Sequence, residues 1–428
     1  MKTIIFASSS LLALAVTATP TATDVVVAQD ADHMRVKVTY TLSGDAVVTA
    51  EMYSGGVKLA GRFDGDVNVK LASGARTLTW RPVDENAGAW AAGALKVKLS
   101  VWDLEDPPTY MAVNLRQPGK PVHYYASAAD VPGTPTNRLY ATDYILMRRI
   151  PATGVTWNVD AGTMGGSGVR KVKLTHDYYI GVFEVTIAQY CAMRNVTSVP
   201  GVSNSISGWP FVWNDDTLPF QVPYSTLRGS TWPTDDRVTS AMSSDCHLYA
   251  IRNRYGIDFD LPTEAEWDFA ARAGVIDLPA SGRYGETGDI SWYRGNSMVD
   301  YKSADGTEYG RMPHSVGLKE PNAYGLYDVL GNMWEWCLDF AGSCGSGTYV
   351  DPKGFDWSGG HDTWRILRGG SYATEEENMI LSKRTSSAPG NWSYMLGSDG
   401  YAVAPQSGAA THTYSAGFRL WAPAKAVK

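Results

Sequence analysis

The 428-residue sequence predicts two folded units: a small all-β module over residues 30–115 and a loop-rich α+β domain over residues 141–424. Three observations carry this division. Short apolar/polar alternations recur through the early part of the chain. Helix-capping signatures appear only later. Composition is aromatic-rich and charge-poor, with 15 Trp, 43 Gly and 19% charged residues, which fits packed loops better than a helical bundle. The length allows two domains with room for a core in each.

In Met34 to Leu42, Val36, Val38, Tyr40 and Leu42 alternate with polar neighbours, the period of a half-buried strand. Ser43-Gly44-Asp45 is a turn. Val47 to Met52, Val67 to Leu71, Arg76 to Trp80 and Leu95 to Trp102 repeat the pattern at short spacing. Such a series predicts a β-sandwich of immunoglobulin or fibronectin type. It has no Cys-Trp-Cys pattern, so an antibody-type domain is not supported. Asp106-Pro107-Pro108 closes the series, and Pro118, Pro121, Pro132 and Pro135 mark a connector over 116–140.

In the second domain, Tyr144 to Ile150 and Asp177 to Val185 read as strands. Thr186 with Gln189, and Thr263 with Glu266, have capping-box spacing. The second opens a helix from Leu261 that Gly274 is placed to end. Pro262 and Trp267 sit where a hydrophobic staple would. Glu264 and Glu266 could pass for a catalytic acid pair, but acids in a first helical turn are more simply explained by capping and the helix dipole. Val238, Met242, Cys246 and Tyr249 have helical spacing and read as a core face, with Gly256 as the stop. Pro200 to Pro223 and Leu278 to Gly317 read as loop.

Residues 1–22 have the form of an export signal: Lys2, an apolar run from Ile4 to Val16, and small residues at Val16-Thr17-Ala18 and at Ala22. The run is too short to span a membrane. An exported protein is expected. The net charge is -7 with both signs dispersed, which argues against nucleic acid as a partner. Four cysteines, Cys191, Cys246, Cys337 and Cys344, allow three full pairings; Cys337 and Cys344 could close a short Gly/Ser loop. Seven histidines (His33, His123, His176, His247, His314, His361 and His412) are scattered without paired spacing. No Ser-His-Asp motif, metalloprotease helix or phosphate loop is present.

The most informative stretch is Pro321 to Asp339, PNAYGLYDVLGNMWEWCLD. Asp328 and Glu335 flank a Gly331-Asn332 turn. Carboxylates with turn carbonyls suit calcium, although two acids fall short of the six to eight oxygens it takes. Solvated acids and core tryptophans are the simpler account of the spacing alone.

GLYDVLGNMWEWCLD resembles the signature of the formylglycine-generating enzymes, or sulfatase-modifying factors. Further matches occur in the family's order: Glu184-Val185-Thr186 with Gln189-Tyr190, Leu261 to Trp267, Arg368-Gly369-Gly370-Ser371 and Gly417-Phe418-Arg419-Leu420. The resemblance spans Met147 to Pro423. It implies a loop-rich variant of the C-type-lectin fold. It also implies a calcium site made by Asp328 and Glu335 side chains with Gly331 and Met333 carbonyls. A second, weaker calcium site is implied at Asn296 and Ser297, with Asp305 a weak further candidate.

The family's enzymes oxidise a sulfatase cysteine to formylglycine and hold copper(I) between two cysteines placed three and eight residues after the Arg-Gly-Gly-Ser serine. Thiolates suit copper(I). Here those positions are Thr374 and Met379, and no cysteine follows Cys344. The resemblance therefore implies a calcium-stabilised protein without the copper centre, a pseudoenzyme that binds a glycan, peptide or protein. Ser371, Trp392, Tyr394, Tyr401 and Tyr414 are the candidate ligand residues, since aromatics among Gly, Ser and Asn suit adaptable recognition. Core packing is the alternative for these aromatics. Variable proteins of diversity-generating retroelements resemble this arrangement as well. The rival functional readings are an active sulfatase-maturing oxidase with an altered centre, and a structural or adhesive surface protein.

Overall fold

The computed structural model describes residues 19–29, 35–83, 94–120, 122–160, 169–197, 216–229, 242–279, 282–302, 308–341, 347–352, 364–387 and 416–427. Two compact units are present, one of Met1–Val67 with Leu71–Leu104, the other of Asn68–Lys70 with Glu105–Lys428.

The first unit is all-β among its described residues. One antiparallel sheet contains β1 (Ala22–Gln29), β2 (Val36–Leu42), β4 (Gly61–Gly65) and β5 (Gly74–Pro82), in the order β1-β2-β5-β4. A second sheet pairs β3 (Ala46–Ser54) with β6 (Leu95–Trp102). The alternation in β2 has a direct physical result: Val36, Val38, Tyr40 and Leu42 are buried while Lys37 is exposed. Val36 lies opposite Trp80 and Val38 opposite Leu78 across the β2–β5 ladder, and all four are fully buried.

The second unit is rich in loops and short strands and has few helices. Its main antiparallel sheet runs β8 (His123–Tyr125), β7 (Tyr110–Asn114), β9 (Tyr144–Ile150), β10 (Tyr178–Gly181), β15 (Trp421–Pro423). A four-stranded sheet carries β13 (Arg384–Ser387), β12 (Arg365–Arg368), β11 (Trp334–Phe340) and β14 (Ala416–Gly417), the last pair parallel. Three helices matter to the site: α1 (Ile187–Arg194), α2 (His247–Tyr255) and α3 (Glu264–Ala271). Both capping boxes form, at Thr186/Gln189 and Thr263/Glu266. The α3 helix is buried along its whole length, so packing rather than propensity holds it. Among the described residues no helix is long and apolar enough to cross a membrane.

Several expectations need correction. The boundary falls at Leu104/Glu105, so Tyr110–Asn114 belongs to the second unit. The expected connector contains β8, which pairs with β7. The prolines read as linker, yet Tyr124 and Tyr125 of β8 are buried. The α2 helix begins at His247; it buries Leu248 and Ile251 and leaves Tyr249 38% exposed. The spacing that pointed to a Tyr249 face began at Val238, outside the described residues. Gly256 does end this helix in a left-handed conformation. The stretch 278–317 is not all loop: it holds the helical turn Thr287–Ile290 and the paired strands Met298–Lys302 and Glu308–Arg311. Cys191, Cys246 and Cys337 are free thiols among the described residues; Cys344, the expected partner of Cys337, lies outside them.

Candidate functional site

The motifs singled out in the second unit converge on two buried charge networks. In the first, Arg368 at the end of β12 meets α3. Its Nη1 donates to Glu264 Oε1 at 3.2 Å and its Nη2 to Asp268 Oδ1 at 2.6 Å. Arg384 Nε donates to the same Glu264 oxygen at 2.7 Å, and Arg272 Nε to Asp268 Oδ2 at 2.7 Å. Glu264 is thus an ion-paired structural acid, and its partners lie more than 100 positions away in sequence. Capping explains Glu266, whose Oε2 accepts from Thr263 N–H at 2.7 Å. It does not explain Glu264.

Past Arg368 the chain turns sharply. Gly369 and Gly370 have φ of +94° and +82°, and a Cβ on Gly369 would meet Val329 O at 2.8 Å. This left-handed pair swings Ser371 off the strand. Ser371 is 1% exposed. Its N–H donates to Thr374 Oγ1 at 2.9 Å, and its Oγ accepts from Ala373 N–H at 3.3 Å. Met379 is fully buried in the core that contains Trp267, Cys337, Ile366 and Leu381. Thr374 Oγ1 and Met379 Sδ lie 3.5 and 2.9 Å from the point a Gly370 Cβ would occupy. The two positions still converge on one place, but one side chain closes a turn and the other fills the core. Burial pushes the Cys337 thiol well above the ordinary range, so this cysteine does not present a thiolate.

The second network surrounds the Asp328 to Glu335 turn. Asp328 and Asn332 are left-handed, with φ of 54° and 55°, and Gly331 has φ of 84°. A Cβ on Gly331 would meet Trp292 O at 2.3 Å. Glu335 is fully buried: its Oε1 accepts Arg419 Nη2 at 2.7 Å and its Oε2 accepts Trp267 Nε1 at 2.7 Å. Arg419 also donates to the carbonyls of Gly181, Val182 and Tyr327 at 2.8–2.9 Å. Glu184, which the sequence did not single out as a site residue, joins them: Oε2 accepts Asn332 Nδ2 at 2.7 Å and Oε1 accepts Met333 N–H at 2.9 Å. Asp328 Oδ2 accepts Gly317 N–H at 2.7 Å, whereas Oδ1 is buried and has no hydrogen-bond partner. Burial, with Glu335 adding to it, raises the Asp328 pKa to about 6. The donor set therefore leaves one buried carboxylate oxygen open to a cation. No group of three or more His, Cys, Asp or Glu side chains among the described residues could hold one ion, so backbone carbonyls would have to complete any such shell.

At the weaker candidate site, Asn296 Oδ1 accepts Tyr293 N–H at 2.8 Å and its Nδ2 donates to Ser291 O at 2.9 Å. Ser297 Oγ donates to Tyr372 O at 2.7 Å. The asparagine closes its own turn, and the serine ties that turn to the chain after Ser371. Asp305, Trp392, Tyr394, Tyr401 and Tyr414 lie outside the described residues.

Residues 149–397 match the sulfatase-modifying factor enzyme 1-like domain. This chain belongs to that family. A formylglycine-generating enzyme of Thermomonospora curvata is 35% identical over 269 residues, 54% of this chain and 83% of the relative. The inactive C-alpha-formylglycine-generating enzyme 2 of Mus musculus is 36% identical over 114 residues, 26% of this chain and 31% of the relative. Among solved structures, Treponema denticola variable protein 1 overlays with a TM-score of 0.43 at 21% identity, covering 65% of this chain and 95% of that one. Within residues 149–397, α3, the Trp334-Glu335-Trp336 strand and the Arg368 turn are the parts that the two charge networks join; Arg419, which pairs with Glu335, lies beyond the matched residues.

Proposed function

We propose that this protein is an exported, calcium-stabilised member of the sulfatase-modifying factor family that binds a glycan, peptide or protein instead of oxidising a cysteine. In this reading the first unit is an immunoglobulin- or fibronectin-like sandwich acting as a spacer, and the second unit is a C-type-lectin-like binding domain. The carrying observation is the pair Thr374 and Met379. The positions that would hold copper(I) present a neutral hydroxyl engaged by Ser371 N–H and a thioether fully buried in the core. A hard, neutral oxygen and a single weak thioether do not make the soft two-thiolate site that copper(I) takes, so no oxidation step is derived through copper. Calcium is assigned to the Asp328 turn because Asp328 Oδ1 is buried with no hydrogen-bond donor, and a buried unpaired carboxylate oxygen is costly unless a cation satisfies it.

The name of the Thermomonospora curvata relative favours the rival reading, a formylglycine-generating oxidase with an altered centre, whereas that of the Mus musculus relative names an inactive protein. One experiment separates the two. The purified full chain is titrated with copper(I), and oxygen consumption is followed with a cysteine-containing sulfatase peptide. Absence of both tight copper binding and peptide oxidation is the expected result. Peptide oxidation that depends on added copper would overturn the proposal.

A further inference from the structure

Two consecutive arginines on β9 have opposite surroundings. Arg148 and Arg149 leave opposite faces of the strand. Arg149 is neutralised twice: it salt-bridges Asp106, and its Nη2 donates to Asp177 Oδ2 at 2.8 Å. The other Asp177 oxygen is taken by Thr153, from N–H at 2.9 Å and from Oγ1 at 2.6 Å. Arg148 pairs with no carboxylate among the described residues; two tyrosines hold it instead. Its Nη1 donates to Tyr110 Oη at 3.1 Å, and its Cζ lies 5.5 Å from the Tyr110 ring centroid and 5.1 Å from that of Tyr324. Its Nε is buried without an acceptor. A guanidinium keeps its charge at every working pH, so this half-buried cation stands without a counter-ion.

The surroundings are fixed from several sides. Tyr110 is 3% exposed and stands directly opposite Arg148 across the β7–β9 ladder. Tyr324 is placed by Asn322, whose Oδ1 accepts Tyr324 N–H at 3.0 Å and whose Nδ2 donates to Ala270 O and Ala271 O of α3 at 2.9 and 3.0 Å. The Tyr324 hydroxyl abuts Gly274, where a Cβ would meet it at 2.4 Å. The next two residues, Val275 and Ile276, are apolar and exposed, at 48% and 42%. An uncompensated cation therefore lies at one end of Tyr324 and an exposed apolar step begins at the other. The tyrosine rings offer no free face to a sugar: Arg148 covers Tyr324, which also packs against Phe269 at 6.5 Å, and Tyr110 is buried.

We propose that Arg148, between Tyr110 and Tyr324, binds a carboxylate of a peptide, with an adjacent apolar side chain of that peptide seated on Val275 and Ile276. The carboxylate belongs to a chain terminus or to an acidic side chain; either presents the planar oxygen pair that a guanidinium recognises. The cation–π contacts hold the guanidinium in place before the ligand arrives, which lowers the ordering cost of binding. This rests on the binding reading above and names its ligand class.

The test uses the full chain and ligand-observed saturation-transfer NMR, which detects weak complexes. N-acetyl-leucine probes a terminal carboxylate, and N-acetyl-leucyl-glutamyl-leucinamide an internal one. Their neutral counterparts are N-acetyl-leucinamide and the glutaminyl peptide, and glucuronate probes a sugar acid. At least one acid should bind at least about tenfold more tightly than its neutral counterpart, the effect of a charge-assisted hydrogen bond; which acid does so identifies the source. Arg148→Met should lose that preference, and Val275→Ser with Ile276→Ser should weaken binding several-fold. Equal binding of acids and neutral counterparts, or of wild type and Arg148→Met, overturns the proposal. Glucuronate binding as tightly as the peptide acids overturns the peptide assignment. If Arg148→Met does not fold, the double serine variant, altered only at exposed positions, locates the site, and unchanged affinity in it overturns the proposal. Failure here leaves the copper titration, which tests the binding reading itself, unaffected.

Discussion

Truncating Met379 tests whether its position is core or an open reaction site. Met379→Ala removes three side-chain heavy atoms from a residue that is fully buried among Trp267, Ile366 and Leu381. At about 0.8 kcal/mol per buried methylene-sized group, the transfer loss is roughly 2.4 kcal/mol. Trp267 and the Gly369-Gly370 turn pack closely around this point, and a cavity term adds to the loss where they do not close the void. The expected total is about 3–4 kcal/mol, inside the range of about 2–5 for buried Met→Ala changes. That is a large share of the ~5–15 kcal/mol that holds a typical domain. Equilibrium urea unfolding, followed by the fluorescence of the second unit's buried tryptophans, measures it, with an unchanged m-value as the check on two-state behaviour. A loss below about 1 kcal/mol would mean that position 379 is open space, and would refute the claim that packing has replaced chemistry there.

Two further outcomes follow from the buried groups. Arg419→Met should destabilise the protein by about 3–5 kcal/mol, because it strands Glu335 and leaves three backbone carbonyls without their donor; Arg419→Lys should recover part of this, since a point charge cannot reproduce the fork. Urea unfolding of both variants checks it, and a cost below about 1 kcal/mol for Arg419→Met contradicts the network. Burial lowers the His247 pKa to about 4, with Arg194 acting in the same direction, so the ring stays neutral when folded but takes a proton near pH 6.5 when unfolded. Its contribution is complete above about pH 6.5, is lost as pH falls from there towards 4, and is constant below that. The ring is partly exposed, so screening reduces the effect to about 1–2 kcal/mol. The fall in Tm between pH 7 and pH 4.5 should be smaller in His247→Gln, and an equal fall in both proteins contradicts the assignment.

The sequence was legible where the physics is local and obscure where partners are distant. Thr263 and Glu266 announce a helix start because their hydrogen bonds span three residues, and both capping boxes form. The alternation of Val36, Val38, Tyr40 and Leu42 likewise maps directly onto burial. Glu264 stands in the same first turn as Glu266 and carries the same local signal, yet it serves a different purpose. Its partners Arg368 and Arg384 lie 104 and 120 positions away, a pairing no window of sequence displays. Glu184 shows the same limit: it stands in a family motif, but its task is set by Asn332 and Met333, nearly 150 residues on. The missing cysteines could be read once the family resemblance had fixed the two positions after Ser371. What replaces them could not, because a buried methionine and a turn-closing threonine acquire those roles only when Gly370 brings the two side chains together. The charged residues named by motif are thus best understood as members of two long-range networks. Substitutions in them test the scaffold, and substitutions at Thr374 and Met379 test the chemistry.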